Sequence, residues 1–261
     1  AATQPVIDLF EQAGPHVIHV IGNHDTDNGY TFQQVLESWK MPARHGVHDL
    51  GLIRVIVLNG NVRPPNHSGG YPAHIGPQQL EWLSAELART NAPPAIILCH
   101  QPLAGPWSVD DAADVQRAIS AAGDQVLCVL NGHSHIDYVL RVDGVTYVHI
   151  NSASYQWVGG DHRHASYEEP VHAQYPSIQY TCPYRDPLYA FMTVDLGNDA
   201  KVNDPISDQR VATITIEGRN STWVGPSPAQ LGKDMHPDLT DGEQIAPRIR
   251  SRVLTPRTAS G

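Results

Sequence analysis

Three short polar motifs in this sequence carry side chains that can bind metal ions and transfer protons. They are Gly22-Asn23-His24-Asp25, His100-Gln101-Pro102 and Gly132-His133-Ser134-His135. Imidazole nitrogens and amide or carboxylate oxygens are suitable ligands for Zn, Mn or Fe. A pair of such ions can neutralise a phosphate group and activate a water molecule to attack it. The residue types therefore point to metal-assisted hydrolysis of a phosphate ester.

Each motif directly follows a segment that the sequence predicts as a β-strand. Apolar runs at 16–21, 95–99 and 126–130 end at the three motifs, and segments 78–89 and 109–122 have helical spacing of apolar residues. Strands that alternate with helices predict an α/β fold with a layered sheet. Because ligands of such folds bind beyond the carboxyl ends of the strands, we expect the motifs to converge on one edge of the sheet.

Further segments complete the predicted fold. The sequence indicates a helix near 6–10, a strand at 52–58, a hairpin of strands 138–142 and 145–150, and late strands at 188–195 and 211–217. The hairpin is predicted because Asp143-Gly144 is a typical two-residue turn. The stretch from 225 onward is rich in proline and glycine, and we expect it to lie over the surface as a tail.

The segment 155–187 lacks the periodicity of either a helix or a strand. It is rich in tyrosine, histidine and proline, and it is too long for a plain connection. Because it follows the last polar motif closely, we expect it to border the site as a lid or wall. The predicted organisation is therefore a catalytic domain at 1–198 that contains this insertion, followed at 199–261 by a strand and the tail.

Composition and charge exclude several classes of function. The chain has 261 residues, of which 41% are hydrophobic, enough for one sizeable core. Its net charge of -10 provides no basic surface for a nucleic acid backbone, so nucleic acid is not an expected partner. Its 3 cysteines are too few for a disulfide framework.

The same composition gives no sign of a membrane protein. No apolar stretch approaches the roughly 18 residues of a membrane span, and the first residues lack a signal-peptide pattern. We therefore expect a soluble chain that does not bind membranes. A start without methionine also fits an exported bacterial protein from which an N-terminal segment has been removed.

In their order and intervals, the three motifs resemble the third, fourth and fifth motifs of the calcineurin-like metallophosphoesterases. The resemblance covers residues 4–195 and implies a four-layer α/β/β/α sandwich. It also implies a dinuclear centre of divalent or trivalent ions (Zn, Mn or Fe). There, a metal-bound hydroxide would attack a small phosphate monoester or diester.

The resemblance also assigns metal ligands to positions of this sequence. It makes Asn23, His100 and His133 ligands of the second metal ion, and it makes His135 a ligand of the first. In the family, the residue matching Asn23 also lies beside the bound substrate. All four side chains are imidazoles or an amide, which agrees with the chemistry expected from the residue types alone.

Acid–base chemistry is assigned by the resemblance to His24 and Asp25. His24 would face the phosphate of the substrate, where it stabilises the transition state or protonates the leaving oxygen. Asp25 would orient its ring. The assignment is chemically reasonable, because histidine can donate a proton near neutral pH and a carboxylate partner fixes its tautomer.

The first two motifs of the family, Asp-x-His and Gly-Asp, are not found before Gly22. The favoured interpretation is a chain that lacks the first strand–helix–strand segment, retains at most one metal ion at the second position, and is therefore a poor or inactive catalyst by itself. Such a chain would associate with that segment, or with a second copy, through an open sheet edge. A circular permutation is the alternative, since Asp234-Met235-His236 is an Asp-x-His sequence, although no predicted strand precedes it.

Three other interpretations compete with a phosphoesterase active site. The chain could be a catalytically impaired domain that binds one metal ion or a partner protein. It could be an amidohydrolase barrel, although the His-x-His of a barrel should follow its first strand and His133-Ser134-His135 comes halfway along the chain. Finally, residues 161–164 with His172 could bind a metal ion, but an exposed histidine-rich loop is the more usual structure.

Overall fold

A six-stranded mixed sheet forms the centre of the computed structural model, which describes residues 4–14, 16–197 and 212–256. The strand order is β1-β2-β3-β4-β6-β5. Strands β2, β3, β4 and β6 are parallel, and β1 and β5 are antiparallel edge strands. The strands span Gly46–Asp49 (β1), Arg54–Leu58 (β2), Ala95–Cys99 (β3), Val126–Asn131 (β4), Tyr138–Val142 (β5) and Val145–His149 (β6).

The other described strands form two smaller antiparallel sheets. One pairs β7 with β8, and the other has the order β11-β10-β9. Their bounds are Tyr155–Trp157 (β7), Thr181–Pro183 (β8), Phe191–Asp195 (β9), Thr213–Glu217 (β10) and Arg252–Leu254 (β11). The described α-helices are Gln4–Ala13 (α1), Phe32–Ser38 (α2), Pro77–Leu87 (α3), Ala112–Ala121 (α4) and Glu169–Gln174 (α5).

Apolar side chains pack on both faces of the six-stranded sheet. On one face, Ile97 of β3 packs with Leu83 of α3 and Ile119 of α4. On the other face, Ile96 of the same strand packs with Ile214 of β10. Successive residues of a strand point to opposite faces, so one apolar strand contributes to both cores. Helices, the large sheet and the three-stranded sheet are therefore successive layers.

These layers confirm the predicted α/β sandwich. The outer face of the three-stranded sheet carries Phe191 and Val253, whose side chains are 66% and 65% exposed. Within the described residues, three of the four expected layers are thus formed. No helix in this part of the chain is both long and apolar enough to cross a membrane.

The segments predicted from periodicity agree well with the observed elements on the carboxyl side of residue 52. Strand β3 has the predicted bounds, and α3, α4 and β4 differ from the prediction by a few residues at most. The turn between β5 and β6 has positive φ at both Asp143 (49°) and Gly144 (81°). This conformation is the one that an Asp-Gly hairpin turn requires.

The strand predicted at 16–21 is not formed. Its backbone is irregular, although the side chain of Ile21 is only 1% exposed. Among the described residues, one hydrogen bond to the backbone of this segment is found, from Asn61 Nδ2 to Ile21 O at 3.2 Å. The prediction failed because an apolar sequence favours burial, whereas a strand also needs a backbone partner.

The proline- and glycine-rich tail is anchored to the domain more firmly than its composition predicts. Leu239 and Ile245 pack with Ile136 in a small core of their own. Asp137, which is fully buried, accepts a hydrogen bond from Arg250 Nε at 2.7 Å. Because Ile136 and Asp137 directly follow the last polar motif, these contacts place the tail beside that motif.

Candidate metal centre

Side chains from three distant loops meet beyond the carboxyl ends of β3 and β4. Asn23 Oδ1 lies 2.9 Å from His100 Nε2 and 3.1 Å from His133 Nδ1. The two imidazole nitrogens are 3.3 Å apart. The structure thus brings together the three side chains that the family resemblance assigned to one metal ion.

The triangle formed by these three donor atoms has the size of a coordination face. Ligand atoms about 2.0–2.1 Å from a zinc-like ion are about 2.9–3.4 Å apart in octahedral or tetrahedral geometry. The observed separations of 2.9, 3.1 and 3.3 Å all lie in that range. The cluster consists of two imidazoles and one amide, and the distances between their donor atoms fit one metal ion. Apart from this mixed cluster, no group of three or more His, Cys, Asp or Glu within the described ranges is arranged to hold a metal ion.

Burial keeps the two imidazoles of this cluster neutral. It lowers the pKa of His100 to about 3, and the neighbouring His133 contributes to the same shift. The pKa of His133 is also lowered, chiefly by burial. A metal ion binds only the unprotonated nitrogen of an imidazole. Both nitrogen donors are consequently available to a metal ion at neutral pH.

His135 lies in the same turn and has no hydrogen-bond partner for its Nδ1 atom, which is buried, among the described residues. Burial lowers the pKa of this side chain to about 4. Both His133 (φ 64°) and His135 (φ 53°) have positive φ. This conformation costs a non-glycine residue on the order of 1–3 kcal/mol and is typical of functional turns. An unsatisfied buried nitrogen in a strained turn fits a ligand position.

Asn131 holds the turns after β3 and β4 together. Its Nδ2 atom donates to Cys99 O at 3.0 Å and to Gln101 O at 3.1 Å. The backbone N–H of Gly132 donates to His100 O at 3.0 Å. These bonds join the two chain segments that carry His100 and His133. The relative position of the two imidazoles is therefore fixed by the backbone.

His149, at the end of β6, links the same two loops from beneath. Its side chain is fully buried, and Nε2 lies 2.9 Å from Ala104 O. A carbonyl oxygen only accepts hydrogen bonds, so Nε2 carries the proton and Nδ1 accepts from the Ser134 hydroxyl at 3.0 Å. The sequence motifs did not identify His149, because it lies on a strand and not in a polar turn.

Gly22 provides space for the imidazole of His100. A Cβ atom at this position would lie 3.0 Å from His100 Cε1, tighter than nine in ten real Cβ contacts, so the imidazole would have to shift by a few tenths of an ångström. The backbone N–H of Gly22 also donates to Asp25 Oδ2 at 2.6 Å. The glycine therefore allows the imidazole of His100 to approach the backbone closely.

His24 lies at the open mouth of the site, with its side chain 64% exposed. Its Nδ1 atom is 2.8 Å from Asp27 Oδ2. The carboxylate that orients the imidazole is therefore Asp27, whereas the family resemblance had assigned this role to Asp25. The reason is a turn closed by the hydrogen bond from Asp27 N to His24 O at 3.0 Å. This turn brings the side chains of its first and fourth residues together.

Tyr71 completes this arrangement around His24. Its hydroxyl donates to Asp27 Oδ1 at 2.8 Å, and its ring meets the His24 ring edge to face, with centroids 4.6 Å apart. Burial acts to raise the pKa of Asp27, but the hydrogen bonds from His24 and Tyr71 outweigh it and lower that pKa. An ionised Asp27 keeps the proton on Nδ1 of His24 and leaves Nε2 free for a substrate.

One cavity of about 720 Å³ is lined by the three side chains of the donor triangle, and by His24, Tyr71 and His135. Its volume falls within the range of small-molecule sites. Tyr155 and Trp157 of β7 line it, as do Lys233 and Asp234 of the tail. The histidine-rich stretch at 161–164 is absent from this wall.

The imidazoles of His164 and His172 form hydrogen bonds within their own segment, and His162 Nδ1 lies 3.2 Å from Leu231 O of the tail. His172 Nε2 accepts from the backbone N–H groups of Ser166 and Tyr167, both at 3.2 Å. His164 Nε2 lies 2.9 Å from Ser166 Oγ. These contacts explain the histidines as structural groups of the loop.

Comparison with known proteins gives a family match and one partial relative. The family model described as calcineurin-like phosphoesterase matches residues 2–137. A "Probable cyclic nucleotide phosphodiesterase" of Rhodococcus erythropolis (strain PR4 / NBRC 100887) is 34% identical over 143 residues. The match covers 49% of this chain and 43% of that protein, so the chain spans less than half the length of this relative.

Two solved structures have weaker similarity. A "Putative 5'-Nucleotidase" from Staphylococcus aureus matches with a TM-score of 0.40 and 14% identity. The match covers 57% of this chain and 34% of the nucleotidase chain. The structure of PhoD has a TM-score of 0.34 and 15% identity, with 82% of this chain and 48% of its own covered. Such scores support no conclusion about activity.

Proposed function

Because the chain belongs to the calcineurin-like phosphoesterase family, we propose that it hydrolyses phosphate esters at a metal centre held by Asn23, His100 and His133. The observation that carries this proposal is the spacing of the three donor atoms, 2.9 to 3.3 Å apart. The partial relative is named a phosphodiesterase, which makes a phosphodiester the first substrate to examine.

The chemistry divides between the metal centre and the side chains around it. When bound, the metal ions neutralise charge on the phosphate and activate water. Zn, Mn and Fe all accept the nitrogen and oxygen donors present here. We assign one ion to the cluster of Asn23, His100 and His133, with solvent completing its coordination.

A second metal position is proposed at His135. Its buried Nδ1 atom has no hydrogen-bond partner within the residues that the structure describes. The other ligands of that position are not among the described side chains. We propose that another segment or a second copy of the chain supplies them by docking on this edge, so this chain alone holds a single ion.

His24 is the proposed proton donor to the leaving oxygen, and Asn23 is a second proposed contact of the bound substrate. Asp27 accepts the proton of His24 Nδ1, so the second proton of the imidazolium form is carried by Nε2, and Nε2 is the atom that would donate to the leaving oxygen. The exposed position of the ring at the mouth allows the substrate to reach it. Asp25, which accepts from Gly22 N, acts instead as a positioning residue for the turn that carries Asn23.

A metal-binding module without turnover is the second candidate function. It is favoured by the lack of a carboxylate in the observed donor triangle, since an aspartate bridging two ions would help to hold them close together. The two functions differ in one measurable property. Both require a bound metal ion, but only the first requires hydrolysis.

The test is a hydrolysis assay on protein loaded in turn with Zn²⁺, Mn²⁺ and Fe²⁺. Bis-p-nitrophenyl phosphate and p-nitrophenyl phosphate report diesterase and monoesterase activity. Because this chain alone holds a single ion, we expect slow, metal-dependent turnover that is lost in His100→Ala and kept in His172→Ala, whose side chain belongs to α5 and does not line the cavity. Bound metal without turnover for either substrate would support the module, and metal-independent turnover would contradict both candidates.

A further inference from the structure

Two large indole rings are exposed within the cavity that contains the metal centre. Trp107 is 46% exposed and Trp157 is 48% exposed, and both line the cavity wall. Scattered apolar side chains on a convex surface need no explanation, whereas apolar surface inside a cleft marks a binding site. The two rings come from separate parts of the fold, the loop after β3 and strand β7.

The backbone of Trp107 has a conformation that is unfavourable for a bulky residue. Its φ is 57°, in the left-handed region that bulky residues rarely adopt. The loop is closed by a hydrogen bond from Val109 N to Pro102 O at 2.9 Å, which keeps the residue in place. Strain that the surroundings maintain is characteristic of residues whose side chain must point to a ligand.

Each indole is supported by a neighbouring ring. Trp107 packs edge to face on His236, with ring centroids 5.6 Å apart, and Trp157 packs on Tyr180 at 5.9 Å. Lys233 Nζ donates to Val158 O at 3.1 Å, which joins the tail to the strand that carries Trp157. The aromatic wall is therefore fixed before any ligand binds.

We propose that Trp107 and Trp157 form an aromatic subsite for a flat ring, specifically the nucleobase of a nucleoside phosphate. This inference rests on the proposed function, because it requires the metal centre to hold the phosphate of the same molecule. Indole faces stack on planar π systems, and stacking on a base contributes substantially to affinity. A glycerol or sugar group attached to the same phosphate has no such face.

The size of the cavity agrees with a ligand of this class. Its volume of about 720 Å³ accommodates a phosphate, a sugar and a base. Its wall carries Lys233 but also the carboxylates of Asp25 and Asp234, so the phosphate would be bound by the metal centre rather than by the charge of the wall. Ribose 5-phosphate has the sugar and phosphate without the base and is the appropriate comparison.

The experiment is equilibrium binding of AMP and of ribose 5-phosphate to the metal-loaded protein by calorimetry. The wild type should prefer AMP. Trp107→Gly and Trp157→Ala should each weaken AMP binding by about 10- to 100-fold, the usual loss for one stacked base, and leave ribose 5-phosphate unchanged. Phe191→Ala, which removes a ring that is 66% exposed on the outer face of the small sheet, should change neither affinity.

Two further measurements separate recognition from folding. Glycine adopts positive φ readily, so Trp107→Gly should unfold at a denaturant concentration no lower than the wild type. Trp107→Phe keeps a flat ring and should retain most of the preference for AMP. A fall in affinity without a fall in stability is the signature of a ligand contact.

The outcomes distinguish this subsite from the proposed hydrolysis. Equal affinity for the two ligands, no AMP binding, or a preference for AMP that survives both tryptophan substitutions would overturn the subsite. Hydrolysis without a base preference leaves the proposed function standing and removes the subsite. If both substitutions abolish the preference for AMP but the protein hydrolyses no phosphate ester, the subsite stands and the proposed hydrolysis is removed.

Discussion

His24 Nδ1 lies 2.8 Å from Asp27 Oδ2, and the other carboxylate oxygen of Asp27 accepts the hydroxyl proton of Tyr71 at 2.8 Å. The carboxylate therefore holds the imidazole through one oxygen and is itself held through the other. This arrangement turns an exposed histidine into a group of defined tautomer and orientation. It is consistent with the proton donation proposed for His24 at the mouth of the candidate metal centre.

Replacement of His24 by alanine should reduce turnover far more than substrate affinity. General acid catalysis contributes about 10²- to 10⁴-fold, and the contribution is made in the transition state. Steady-state kinetics with alkyl and p-nitrophenyl esters measure it, since p-nitrophenol leaves with little need for a proton. Equal losses for the two leaving groups would argue against the acid role.

Asp27→Asn should lower kcat by about 10- to 100-fold, as is usual when the hydrogen-bond partner of a functional histidine is removed. Asp25→Asn should reduce kcat less, because Asp25 contacts the backbone of Gly22 and not the imidazole. Parallel measurement of the two variants on an alkyl ester provides a matched comparison. A larger effect at Asp25 than at Asp27 would show that the observed hydrogen bond is not the functional one.

His149 should make the stability of the metal-free protein dependent on pH. Burial lowers its pKa from 6.5 to about 4, against an opposing hydrogen bond to Ala104. Between pH 6.5 and pH 4, the unfolded chain therefore binds a proton at His149 more readily than the folded chain does. As a result, the free energy of unfolding falls as the pH falls through this range. The full loss from this residue is about 3 kcal/mol.

The variant His149→Gln isolates this contribution, because glutamine does not titrate. Between pH 7 and 5 its free energy of unfolding should fall by about 2 kcal/mol less than that of the wild type. Denaturant titrations at the two pH values measure the difference. The same fall in both proteins would mean that His149 binds its proton equally well in the folded and the unfolded chain, so that burial does not lower its pKa.

Two residues of the donor cluster could be placed from the sequence because their motifs follow strands, whereas the third, Asn23, follows segment 16–21, which forms no strand. His100 and His133 come directly after β3 and β4, and parallel strands end at one edge of a sheet, so periodicity and motif were sufficient to predict their proximity. The alternation of apolar segments likewise predicted the α/β architecture. Both inferences use short-range patterns.

What the sequence did not indicate depends on contacts between distant residues. Tyr71 reaches Asp27 across 44 positions, and the tail reaches the site through Asp137 and Arg250, which are 113 positions apart. No local pattern marks such pairs. The family resemblance assigned the orienting role to Asp25, whereas the geometry of the turn places the carboxylate of Asp27 against His24.

The most direct test of the account is a metal titration of the metal-free protein, followed by elemental analysis after desalting. We predict one tightly bound Zn²⁺ or Mn²⁺ ion per chain, with affinity reduced sharply in Asn23→Ala, His100→Ala and His133→Ala and unchanged in His172→Ala. Circular dichroism of each variant establishes that it is folded. Folded protein that binds no metal ion, or that binds it equally well without His100 and His133, would contradict the assignment of the metal centre.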